Sequence, residues 1–107
     1  MAVDYNGEQD RERFVETLEE IGRYRMPFGK YGPKHYPPDG VPLHDLPVDY
    51  LAWFLQKGFP KGRLGELMEI VCHAKMGGAD SIFDALRHRA GGRTKLRPER
   101  QREWKFE

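Results

Sequence analysis

Apolar positions recur at helical spacing in four stretches of the chain and lose all period between the first and the second. From about Glu8 to Tyr24, Phe14, Leu18 and Ile21 follow at steps of four and three, with Arg11, Glu12, Glu16, Glu19, Glu20 and Arg23 on the other faces. This spacing predicts an amphipathic helix with a narrow apolar stripe, and Asn6 with Gln9 three residues on has the form of a capping pair. A second helix is predicted from Pro47 to Lys57: proline suits a first turn, Asp49 complements the positive end of the dipole, and Gly58 ends the helix. Tyr50, Leu51, Trp53, Phe54 and Leu55 leave it little polar surface, which predicts the centre of the core. A third helix begins near Pro60 to Gly62 and ends at Gly77-Gly78, with Leu64, Leu67, Met68, Val71 and Lys75 on one stripe and Gly65 and Cys72 beside it. An interior helical glycine costs about 1 kcal/mol relative to alanine. Gly65 therefore implies close approach of another backbone or a ring, with the second helix as the expected neighbour. A fourth, short helix runs from Asp80 to Ala90, burying Ile82, Phe83 and Leu86 before Gly91-Gly92, with Arg87 and Arg89 well placed in its last turn.

Between Met26 and Pro47 lie six of the eight prolines, together with Gly29, Gly32 and Gly40, which excludes a long helix there. Met26 to Tyr31 and Val41 to Leu43 read as two short extended segments joined by an aromatic, proline-rich loop through His35 and Tyr36. The expectation is an α+β fold, mainly α: a small single domain of three to four helices with a short irregular β-hairpin. It divides into an N-terminal amphipathic helix (1–25), a core domain (26–90) and a basic C-terminal tail (91–107), the tail largely extended or disordered.

A length of 107 residues with 38% apolar and 33% charged side chains fits one domain and excludes a multidomain enzyme. No run approaches the roughly 18 to 20 apolar residues of a membrane span, and the N-terminus has neither the basic region nor the apolar stretch of a signal peptide. A cytoplasmic protein is expected. The single cysteine, Cys72, cannot form an intramolecular disulfide, which fits a reducing compartment. Net charge is +1, but residues 1 to 25 carry four basic and seven acidic side chains, whereas residues 81 to 107 carry eight basic and four acidic. Such asymmetry fits either a meeting of the two ends or a basic tail offered to an anionic partner.

The four histidines have no zinc-motif spacing with one another or with Cys72, and no Walker loop, nucleophile elbow or dinucleotide fingerprint occurs. No metal, no cofactor and no enzymatic activity are expected. Two places point to anion binding instead. Lys61 and Arg63 stand in the first turn of the third helix, where backbone N–H groups and the dipole already favour a phosphate, sulfate or carboxylate, and Gly62 leaves room for one to approach the backbone. Phe28, Lys30 and Tyr31 interleave rings with a cation, the combination that stacks on bases while meeting phosphates, although either ring also suits a core. Lys34, His35 and Tyr36 extend that strip, and Arg93, Lys95 and Arg97 begin the basic tail.

Met26-Pro27-Phe28-Gly29-Lys30-Tyr31, then Leu43 to Phe54 (LHDLPVDYLAWF), then Gly58 to Gly65 (GFPKGRLG) form three blocks in order. Over residues 26 to 87 the chain resembles the small bacterial family labelled putative quorum-sensing-regulated virulence factors. The first two blocks also look like the C-terminal domain attached to some exonuclease-X-like DNA exonucleases, which implies a nucleic-acid-associated role. The exonuclease catalytic domain is absent, so nuclease activity does not carry over. Gly32 to Val41 is a longer, proline-rich insertion where family members have a short basic glycine turn.

The expected function is a non-catalytic nucleic-acid-binding or accessory module, contacting DNA or RNA through Phe28, Lys30, Tyr31, Lys61, Gly62, Arg63, Arg93, Lys95 and Arg97. The alternative is a protein-interaction module linked to virulence regulation, using the Tyr31 to Pro42 loop and the acidic first helix. A small hydrolase would need His44, Asp45, Asp49, Glu66 and Glu69 to converge in a pocket.

Overall fold

The computed structural model describes residues 2–96, with side chains from Arg11 onward. Four helices follow in order: α1 (Ala2–Arg23), α2 (Val48–Lys57), α3 (Arg63–Met76) and α4 (Asp84–Arg89). Short 3-10 turns at Gly29–Tyr31, Leu43–Asp45 and Asp80–Phe83 link them. The expected β-hairpin is not formed, so the domain is helical rather than α+β. Among the described residues the only pairing of this kind is an isolated antiparallel bridge between Arg25 and Pro42. Its physical cause lies in the prolines and Gly29. Pro27 and Pro42 have no N–H to give a ladder, and Gly29, at φ +76°, turns the chain into a 3-10 turn where an extended strand would continue. The freed backbone groups close the loop instead. Met26 N–H donates to the Val41 carbonyl at 2.8 Å, and Val41 N–H donates to the Tyr31 carbonyl at 2.9 Å.

The core gathers Ile21 from α1, Leu51 and Phe54 from α2, and Leu67, Met68, Val71 and Cys72 from α3, with Met26, Tyr31, Val41, Leu43, Leu46, Phe83 and Leu86. Two helices differ from their expected faces. α1 begins at Ala2, so Asn6 lies within it rather than capping it, and Phe14 is 48% exposed, leaving Leu18 and Ile21 to hold the helix to the body. α2 is not apolar core all round: Leu51 and Phe54 point inward, whereas Trp53 is 53% exposed.

α2 packs chiefly against α3, and the connection between them explains two glycines. Gly62 precedes α3 at φ +91°, a region that favours glycine. Gly65 faces the Pro60 carbonyl, which a Cβ at position 65 would overlap; the close neighbour is thus the inter-helix connection, not α2 itself. Gly65→Ala gains up to about 1 kcal/mol of helix propensity but must displace a backbone group, an overpacking cost of roughly 1–3 kcal/mol or more. The variant is expected to unfold at lower urea concentration than wild type, and an unchanged or raised midpoint would show that Pro60 does not sit against this helix.

Candidate functional site

At the start of α3, Lys61 and Gly62 are exposed, but the guanidinium of Arg63 is engaged by the chain's own carboxylates. Its Nε–H donates to Glu20 Oε2 at 2.8 Å, Nη2 to Glu20 Oε1 at 2.6 Å, and Nη1 to Glu66 Oε1 at 2.8 Å. These hydrogen bonds raise the Arg63 pKa and lower that of Glu20. The pair fastens α1 to α3, so the first-turn cation meets a carboxylate where an anionic guest was expected.

The Phe28 to Tyr31 strip has two kinds of ring. Phe28 is 46% exposed, whereas Tyr31 is buried. Lys30 Nζ stands 5.6 Å from the Tyr31 ring centroid. Tyr31 is a link in a continuous aromatic run: its centroid lies 5.8 Å from that of Tyr36 and 4.7 Å from that of Tyr50. Tyr50 in turn meets Phe54 edge-on at 5.2 Å, and Phe54 touches Trp53 at 5.1 Å and Phe59 at 6.0 Å. The Tyr50 hydroxyl lies 3.3 Å from where a Cβ on Gly29 would stand, which seats the strip against α2. Exposed Trp53 therefore borders one packed row of rings. Lys57 follows Trp53 by four residues on α2, and so shares its face.

Of the tail residues, Arg93 donates to Asp80 Oδ2 at 3.2 Å, Lys95 is exposed, and Arg97 lies outside the described residues. The carboxylates weighed for hydrolysis do not converge: His44 and Asp45 are buried, whereas Asp49, Glu66 and Glu69 are exposed on α2 and α3. Among the described residues no group of three histidine, cysteine or acidic side chains is placed to hold a metal ion, and no helix is long and apolar enough to cross a membrane.

The sequence reading missed the most densely bonded side chain, Arg87. Buried at the end of α4, it donates to Asp45 Oδ1 at 3.0 Å, Asp84 Oδ1 at 2.9 Å, Asp80 Oδ1 at 2.7 Å and the His44 carbonyl at 3.0 Å. Asp45 Oδ2 also accepts from the Thr94 N–H and hydroxyl, each at 2.9 Å, and Lys75 donates to Asp80 Oδ1 at 2.7 Å. Burial works against the charge on Asp45, but the hydrogen bonds from Thr94 and Arg87 outweigh it and lower its pKa. Asp80 is held far below the usual carboxylate range in the same way, by Arg87, Lys75 and Arg93 against burial. Asp80, Asp84 and Arg87 share one helical line, at separations of three and seven residues; that spacing was the available signal, whereas Asp45, 42 residues away, gave none.

His44 sits beside this node, stacked on Phe83 with ring centroids 6.3 Å apart. Neither ring nitrogen has a hydrogen-bond partner. Burial, partly opposed by the Asp45 charge and reinforced by that of Arg87, lowers its pKa from the ordinary 6.5.

Two outcomes follow for stability against pH. Folding holds His44 below its unfolded value, so the unfolded chain takes up the proton first and stability falls as pH drops below about 6.5. His44→Phe, which keeps a ring against Phe83, is expected to remove that first loss in urea unfolding followed from pH 8 to 5; a wild-type slope in the variant contradicts the assignment. The depressed carboxyls stabilise fully above their unfolded pKa near 3.8, and that contribution is lost as pH falls through the folded values. Arg87→Ala leaves Asp45 buried without its counter-charge, and at pH 7 it should cost about 3–5 kcal/mol in denaturant titration.

Comparison with known proteins relates this arrangement to others. A family model described as "Putative quorum-sensing-regulated virulence factor" matches residues 15–86, beginning inside α1. The uncharacterised protein YpeB of Escherichia coli strain K12 is 44% identical over 73 residues, covering 67% of this chain and 92% of YpeB. Its counterpart in Escherichia coli O157:H7 matches with the same identity and coverage. No solved structure matches the chain. On the extent of the family match and on the identity to YpeB, the chain belongs to the family described as "Putative quorum-sensing-regulated virulence factor".

Proposed function

We propose that the chain is a non-catalytic module that binds single-stranded nucleic acid along the aromatic row on α2. The supporting observation is the row itself: exposed Trp53 against Phe54, continued by Tyr50 and Tyr31, with Lys30 over the Tyr31 ring, exposed Phe28 three residues before Tyr31 in the chain, and Lys57 one turn from Trp53. Buried Phe54 holds the exposed Trp53 ring in place, so that a base stacks on it with little ordering cost, while lysine ammonium groups meet the phosphates without reading sequence. Phosphate contacts move accordingly from Arg63, engaged by Glu20 and Glu66, to Lys30, Lys57 and Lys61. The likeness of the first two sequence blocks to the C-terminal domain of exonuclease-X-like exonucleases supports the same reading. A second reading, a protein-interaction module of a virulence pathway, is favoured by Phe14 and Val15, each 48% exposed on α1.

Fluorescence-anisotropy titration of short labelled oligonucleotides at rising salt tests the proposal. Affinity is expected to fall steeply between 50 and 200 mM salt. Trp53→Ala should weaken binding by roughly 1–3 kcal/mol, the worth of one stacked base, and Lys57→Gln with Lys61→Gln should flatten the salt dependence. Wild-type affinity in Trp53→Ala rules out the aromatic row. Absence of nucleic-acid binding, with a stoichiometric protein partner lost in Phe14→Ser, decides for the second reading.

A further inference from the structure

Away from the aromatic row, the C-terminal ends of α1 and α4 enclose a cleft of about 480 Å³, within the range of small-molecule sites. The helices cross closely at Gly22, where an added Cβ would stand 2.8 Å from Leu86 Cδ2. The residues just beyond that crossing open outward into the cleft. Arg23, Arg25 and Arg89 all line it, with Glu19 as its carboxylate.

These guanidiniums are poorly matched within the described residues. Arg23 and Arg89 have neither a hydrogen bond nor an ion pair there, and Arg25 reaches only the Gly40 carbonyl, at 3.4 Å. Glu20, which feels the charge of Arg23, has both its oxygens engaged by Arg63. A basic residue in a helix's last turn is favoured by the dipole, which accounts for Arg23 and Arg89 singly. It does not account for three arginines lining one cavity with Glu19 as the one carboxylate among its lining residues.

Three guanidiniums against one carboxylate leave two positive charges. A carboxylate ligand would cancel one, whereas a phosphate monoester carries about −1.5 to −2 at pH 7 and presents oxygens suited to bidentate guanidinium contacts. Pro42 and Leu86 give the cleft an apolar wall for an organic group. His44 belongs to the same lining, and its ring nitrogens are the only buried side-chain polar atoms without a partner among the described residues. Such a buried, unsatisfied group is costly to keep.

We propose that this cleft binds a small organic phosphate monoester, its phosphate held by Arg23, Arg25 and Arg89 and its organic part against Pro42 and Leu86. The site is separate from the aromatic row and stands whether or not that row binds nucleic acid.

Nuclear magnetic resonance titration of the full chain tests it, with glucose 6-phosphate, inorganic phosphate and glucose as probes, none of which carries an aromatic ring to stack at Trp53. Glucose 6-phosphate is expected to shift the side-chain Nε–H signals of Arg23, Arg25 and Arg89 and to bind more tightly than inorganic phosphate, with glucose without effect. Arg23→Gln and Arg89→Gln, at exposed positions, should keep a folded spectrum and each weaken binding at least tenfold, whereas Trp53→Ala should bind as wild type. No shift at these arginines up to 10 mM glucose 6-phosphate, or equal binding by both glutamine variants, overturns the site. Inorganic phosphate binding as tightly as glucose 6-phosphate overturns the organic part of the assignment. Loss of binding in Trp53→Ala alone would place the ligand on the aromatic row and also overturn it.

Discussion

The guanidinium of Arg87 is the point on which the rest of the molecule is hung. It stands at the end of a helix of six residues, too short to persist alone, and it ties that helix to the Leu43–Asp45 turn, to Asp80 and, through Asp45, to Thr94. A charge so enclosed is tolerable only when almost every donor is matched, because an unpaired one leaves a large desolvation cost. The node thereby fixes where Arg89 emerges and where His44 lies. The geometry of the basic cleft is a consequence of this internal arrangement rather than of surface residues alone.

Helical periodicity was readable because each helix writes its own pattern locally. Leu67, Met68 and Val71 announced the buried stripe of α3, and Gly65 announced a close backbone contact, although its owner proved to be Pro60. What sequence could not display was anything closed across the fold. Glu20 and Arg63 are 43 residues apart, and nothing near either indicates the other. The apolar content of α2 suggested complete burial, yet a small domain has too little interior to cover every side of a helix, and Trp53 was left outside. The supposed hairpin failed for a related reason: alternation can be read from a short segment, but a ladder needs donors that Pro27 and Pro42 lack.

The family match reaches from Val15 to Leu86 and so includes the Glu20–Arg63 fastening, the aromatic row and Asp45. Arg87 and Arg89 fall just beyond it. The aromatic row thus lies within the matched residues, whereas the cleft joins residues of that range to the end of α4. The row and the cleft share no lining side chain, so the two proposed ligands would not compete for the same residues.

Cys72 is wholly buried in α3 beside Met76, its Sγ 3.5 Å from the Met76 Sδ, and burial raises its pKa. A thiol in that setting is closed to alkylating reagents until the helix packing parts. Its rate of modification therefore clocks the transient opening of the interior. The same protection lets a cysteine introduced at the surface be tagged selectively while the native sulfhydryl stays silent.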